Sequence, residues 1–145
     1  MNDLVKEWFK KAESDKGTAF REFSAGLNWD AVCFHVQQCV EKYLKGVLQQ
    51  NEINFPKTHD LAVLMNLIPP KYTELKEMIH EMEWLSAFAV EFRYPGEDAV
   101  KEDARYALEI MKQMTEKLRL PIEEEKHEHN AEPPPHPPEI TPENP

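Results

Sequence analysis

Apolar residues recur every three to four positions along most of the chain, and no stretch alternates convincingly with period two. Leu4, Trp8, Ala12, Ala19 and Phe23 fall on one helical face, with Val5, Phe9 and Phe20 alongside. Gly17 interrupts this first helix, and Gly26 suits the left-handed position that closes one. Asn28 then suits an N-cap, with Asp30 in the first turn of a second helix from about Trp29 to Gln50. Residues 51–57 read as a loop. Thr58 reads as the N-cap of a short third helix, about His59 to Leu67, with Asp60 complementing its N-terminus and Pro69-Pro70 ending it. The fourth helix is expected from about Tyr72 to Phe92, on a stripe of Leu75, Met78, Met82, Leu85, Ala89 and Phe92, and is broken by Tyr94-Pro95-Gly96. The fifth is expected from about Asp98 to Arg119, on Val100, Ala104, Ala107, Leu108, Met111 and Leu118. The pattern predicts an all-α fold, an antiparallel up-and-down helical bundle of four long helices plus one short, over residues 1–120.

The second helix, which contains FHVQQCVEKYLKGVL, mixes its faces most. With His35 set at zero and about 100° per residue, Val32, Val36, Val40, Tyr43 and Val47 form the core face. His35, Cys39, Lys42 and Gly46 make one narrow stripe, with Gln38 and Lys45 to its side. Gly46 costs a helix interior roughly 1 kcal/mol relative to Ala, so a packing or site reason is expected for it. Phe34 and Leu48 fall on the far side, which makes them candidate contacts of a homodimer.

Composition divides the chain at residue 120. Residues 121–145 hold eight of the twelve prolines, and seven acidic residues against one Lys, which is −6 of the net charge of −10. With almost no aliphatic or aromatic residues, this segment cannot offset its ordering entropy and is expected to be a disordered acidic Pro/His tail. Its His127, His129 and His136 could bind metal adventitiously; a solvated tail is the plainer reading. The mildly acidic body argues against broad binding to phosphate backbones, though not against a local basic patch. No apolar run approaches the ~20 residues of a membrane span, and no secretory pattern opens the chain. Cys33 and Cys39 stand six apart on one helix, on different faces, so free thiols and a cytoplasmic setting are expected. No CxxC, P-loop, HExxH or GxSxG pattern is present, and no metal or cofactor is expected.

Several motifs in order resemble one family. Ala12, Asp15 and Ala19 give a small–acidic–small pattern, although Lys16-Gly17 departs from the apolar residue expected there. FHVQQCVEKYLKGVL, THDL at 58–61 and RYP at 93–95 follow, and then Gly96 before a helix with Ala99, Ala104 and Ala107. Together these resemble the HEPN domain, the "higher eukaryotes and prokaryotes nucleotide-binding" fold, in a branch with Arg-Tyr-Pro. The resemblance implies a helical bundle that usually dimerises and associates with nucleotides or RNA. It also implies a minimal nucleotidyltransferase partner in a toxin–antitoxin or regulatory pair. The family's ribonuclease branch places a His after an Arg with four to six residues between them. None of Arg21, Arg93, Arg105 and Arg119 has one; after Arg93 those positions hold Asp98, Ala99 and Val100.

The candidate nucleotide- or partner-binding residues are therefore His35, Gln38, Lys42, Lys45, His59, Arg93 and Tyr94. Each has a plainer reading. His35 can be a half-buried core histidine, His59 can bond a loop carbonyl beside an N-cap, and Arg93 can complement a helix C-terminus. Tyr94 can pack beneath its turn, and Trp29 and Trp84 read as core anchors rather than platforms for bases. The leading expectation is a non-catalytic protein binding a nucleotide, RNA or a minimal nucleotidyltransferase. The alternatives are a metal-independent ribonuclease toxin using Arg93 with His35 or His59, and a structural dimeric adaptor.

Overall fold

The computed structural model describes residues 2–90 and 94–130, residues 119–130 by backbone alone. Helices α1 (Asp3–Ala25) and α2 (Trp29–Gln50) form the long antiparallel pair. After a loop come α3 (Leu61–Asn66), a 3-10 turn (Pro70–Tyr72), α4 (Thr73–Lys76), α5 (Ile79–Ser86) and α6 (Lys101–Asn130). There is no strand among the described residues. α2 lies at the centre, packed by α1 on one side and α6 on another, while α3 packs on α5.

The two ends that set the α1–α2 hairpin have the residues expected of them. Gly26 sits at φ 70° and donates its N–H to the Glu22 carbonyl at 3.1 Å. The Asn28 side chain accepts from the Ala31 N–H at 3.0 Å. Gly17 does not break α1, whose buried stripe is Val5, Ala12 and Ala19; Leu4 and Phe20 stay exposed.

Three expected boundaries move. α3 begins two residues later than expected because Asp60, not Thr58, is its cap. The Asp60 carboxylate accepts from the N–H groups of Ala62 and Val63, while Thr58 Oγ1 accepts from the Asp60 N–H and shapes the preceding turn. The expected fourth helix is divided. At Met78 the chain tightens, with the Met78 N–H on the Leu75 carbonyl at 2.9 Å. After Ser86 it tightens again, and Ala87, Phe88 and Ala89 each bond three residues back. Ser86 Oγ donates to the Met82 carbonyl and accepts from the Leu61 N–H, so this hydroxyl serves α3 as well as its own helix end. Tight turns keep Leu75, Met78, Met82 and Leu85 on one buried side, which is why the apolar pattern reads as a single helix. Ala89 is half-buried, and Phe92 lies outside the described residues.

α6 starts at Lys101 rather than Asp98 and runs to Asn130, past Arg119 and Pro121. Val100 precedes it and is exposed, whereas Ala104, Ala107, Ile110, Met111, Met114 and Leu118 are buried. The Glu-rich run after Pro121 holds good helix formers, and one missing N–H does not end the helix. Residues 131–145 of the expected tail lie outside the described residues. No described helix is long and apolar enough to cross a membrane.

The placement of Leu48 corrects an expectation. Fourteen residues of α2 are buried, so the helix is enclosed on more than one face, and Leu48 is at 0% exposure within the core. Its side chain is spoken for inside the chain rather than set on an outer face of the helix. Phe34 is half-buried, with its ring edge-on to His35 at 5.1 Å.

Candidate functional site

The stripe of His35, Cys39, Lys42 and Gly46 faces α1. Where Gly46 stands, an added Cβ would lie 2.5 Å from Cε1 of Phe9, so the missing side chain is what lets the two helices approach. Phe9 tilts against Tyr43 at 5.6 Å, and the Tyr43 hydroxyl donates to Glu13. Packing, not a ligand, accounts for this glycine. Gly46→Ala is expected to lower stability by about 1–3 kcal/mol through overpacking, against the gain in helix propensity that Ala would otherwise give. A urea titration checks this, and the loss should shrink in a Phe9→Ala background. A Gly46→Ala protein more stable than the parent would contradict the close approach.

One turn further towards the hairpin, Asp15 of α1 reaches across to α2. Its two oxygens take His35 Nδ1 at 3.0 Å and Lys42 Nζ. All three side chains are partly exposed: His35 25%, Lys42 22% and Asp15 12%. An ionised carboxylate only accepts, so His35 Nδ1 carries the hydrogen that faces Asp15; in a neutral ring of that tautomer Nε2 is an acceptor. Cys39 is buried between these groups. Burial, followed by the nearby charges of Glu13 and Asp15, pushes its thiol far above the ordinary range, so it is no nucleophile. Neither cysteine forms a disulfide, and both are buried.

A second carboxylate organises the other side of α2. Glu41, nearly buried, accepts from His59 Nδ1 at 2.9 Å, Lys45 Nζ at 3.0 Å and Gln37 Nε2 at 3.2 Å. Gln37 Nε2 also donates to the His59 carbonyl at 3.0 Å, which ties the loop before α3 to α2. The Lys45 ammonium lies 5.8 Å from the Trp8 ring centre and 6.0 Å from that of Phe55, so its buried charge is held by one carboxylate and two aromatic rings. Gln38 links the two clusters: Nε2 donates to Gln37 Oε1 at 2.7 Å, and the residue stands one turn from both His35 and Lys42.

The six described candidate residues are thus not one pocket. His35 and Lys42 share Asp15; Lys45 and His59 share Glu41; Gln38 stands between the groups. Tyr94 is exposed, in a turn where its carbonyl accepts from the Glu97 N–H at 3.0 Å; further on, the Ala99 N–H donates to the Asp30 carboxylate at the start of α2 at 2.7 Å. Arg93 lies outside the described residues. Two organising residues were missed by sequence reasoning. In the sequence Asp15 shows only as part of a small–acidic–small pattern and Glu41 only as a letter of the second-helix motif; the i, i+4 pairs Gln37–Glu41 and Glu41–Lys45 are the available signal. No group of three or more metal-ligating side chains occurs among the described residues. A separate groove of about 440 Å³ lies between the 3-10 turn, α4 and α6, lined in part by Lys71, Glu74, Glu116 and Lys117.

A bundle with no strand among its described residues, whose first two helices share a carboxylate–imidazole–ammonium contact, defines the class of protein: a small all-α helical domain with a polar seam between those helices. The model of the HEPN domain matches residues 5–121, and the chain belongs to that family. The crystal structure of an archaeal HEPN homologue is similar in fold, with a TM-score of 0.65 and 24% identity, over 81% of this chain and 97% of that one. No curated protein matches.

Proposed function

We propose that this HEPN protein binds a nucleotide, free or as a unit of RNA, on the half-exposed face of α2 formed by Phe34, His35, Gln38 and Lys42, without catalysing a reaction. One observation carries the reading: Asp15 draws an imidazole and an ammonium together at the surface and fixes both before any ligand arrives. A phosphate can meet the remaining Lys42 protons, and a base can lie against Phe34. Tyr94, which is exposed, and Arg93 belong to the same reading on the strength of the sequence motif alone. A minimal nucleotidyltransferase partner, a homodimer and a cytoplasmic setting belong to the same reading and rest on the family resemblance. Adding AMP is expected to raise the Tm of the protein, and Lys42→Ala is expected to abolish the rise while leaving the ligand-free Tm nearly unchanged. No rise with mononucleotide or RNA would leave the adaptor reading.

A second reading has its own observation. His35 and His59 each place Nδ1 on a carboxylate, the arrangement that orients a general base or acid. Labelled RNA incubated with the protein in EDTA separates the two: cleavage lost in His35→Ala but kept in His80→Ala, a change at an exposed histidine of α5, would favour a metal-independent ribonuclease.

A further inference from the structure

The hydrogen bonds around Gln38 run in one direction only. Glu41 as a carboxylate and the His59 carbonyl can only accept, so Gln37 must present its amide nitrogen to them. Gln37 Oε1 is therefore the atom left for Gln38, which must donate through Nε2. Gln38 Oε1 is then fixed as a free acceptor. It has no partner among the described residues and is not one of the buried unsatisfied atoms, so it meets solvent. One turn earlier Asp15 fixes the Nδ1–H of His35, so that in the neutral ring Nε2 is a second acceptor, also open to solvent. Residues 35 and 38 are neighbours on one helix face. The surface thus offers two acceptors of fixed polarity beside the half-buried Phe34 ring and the Lys42 ammonium.

We infer that this face selects nucleotides whose base carries an exocyclic amino group, with Gln38 Oε1 and His35 Nε2 accepting its N–H bonds. An oxo group at the same position would set a lone pair against an acceptor that Gln37 and Glu41 prevent from turning round. The inference rests on the nucleotide-binding reading above and adds the class of base.

Isothermal titration of the full chain with two matched pairs, AMP against IMP and CMP against UMP, tests it. The amino member of each pair is expected to bind at least about ten-fold more tightly, the effect of leaving a site's polar group unpaired. Gln38→Met keeps the length of the side chain and removes the acceptor; it should bring each ratio close to one while weak binding persists. Equal binding of all four nucleotides by the parent protein would overturn the selectivity and leave nucleotide binding standing. Binding of none would overturn both. A preference for IMP or UMP would show that the polarity runs the other way. The comparison of ligands on the parent protein needs no variant to fold.

Discussion

Glu41→Ala is expected to destabilise the protein by about 3–5 kcal/mol, because it leaves a buried ammonium without its counter-charge. Glu41 and Lys45 are at 4% and 8% exposure, and the carboxylate accepts from three side chains at once. Removing it strands Lys45 between Trp8 and Phe55 and frees the loop that His59 closes. The size of the loss should depend on what remains. Glu41→Gln retains one acceptor oxygen and should lose less. Glu41→Leu combined with Lys45→Met replaces both charges by apolar groups and should recover much of the stability. Urea unfolding of the four proteins gives the comparison. A loss in Glu41→Ala of only a few tenths of a kcal/mol, as exposed ion pairs give, would contradict the buried placement.

Leu48→Ala is expected to cost about 2–5 kcal/mol, the range for emptying a packed leucine site. Leu48 is fully buried, and its carbonyl also receives the Ile53 N–H at 3.0 Å where the chain leaves α2. The cost should be the same at every protein concentration, since the side chain is buried inside one chain. A contact between two copies would behave differently: its loss would show as a midpoint that rises with protein concentration in the parent and not in the variant. Midpoints measured over a hundred-fold range of concentration distinguish the two.

Much of this fold is legible in the sequence where local chemistry decides it. Gly26 and Asn28 mark the hairpin between α1 and α2 because each does something few other residues do as well, a left-handed backbone and a side-chain cap. The break at Met78 and the early end at Ser86 are not legible, because a 3-10 turn shifts each side chain too little to disturb an apolar stripe. Leu48 was misplaced for a different reason. A helical wheel assigns one buried face, whereas α2 touches α1, α3, α5 and α6.

The candidate site divides in the same way. His35, Lys42 and Gly46 stand out as a stripe on the wheel, yet what they face is decided by Asp15 and Phe9, twenty or more residues away in sequence. Gln38 could be named as a neighbour of the stripe. Its polarity could not, since that depends on Gln37, on Glu41 and on a backbone carbonyl of the loop.

The central claim is that the face of α2 around Asp15 is a binding surface set in place before the ligand arrives. Titration of AMP into isotopically labelled protein, followed by NMR, tests it most directly. The account predicts that the largest shifts fall on residues 34–42 and on Asp15, with the imidazole signals of His35 moving more than those of His80. Shifts confined to the groove at Lys71, Glu74 and Lys117, or no shifts at saturating nucleotide, would contradict it.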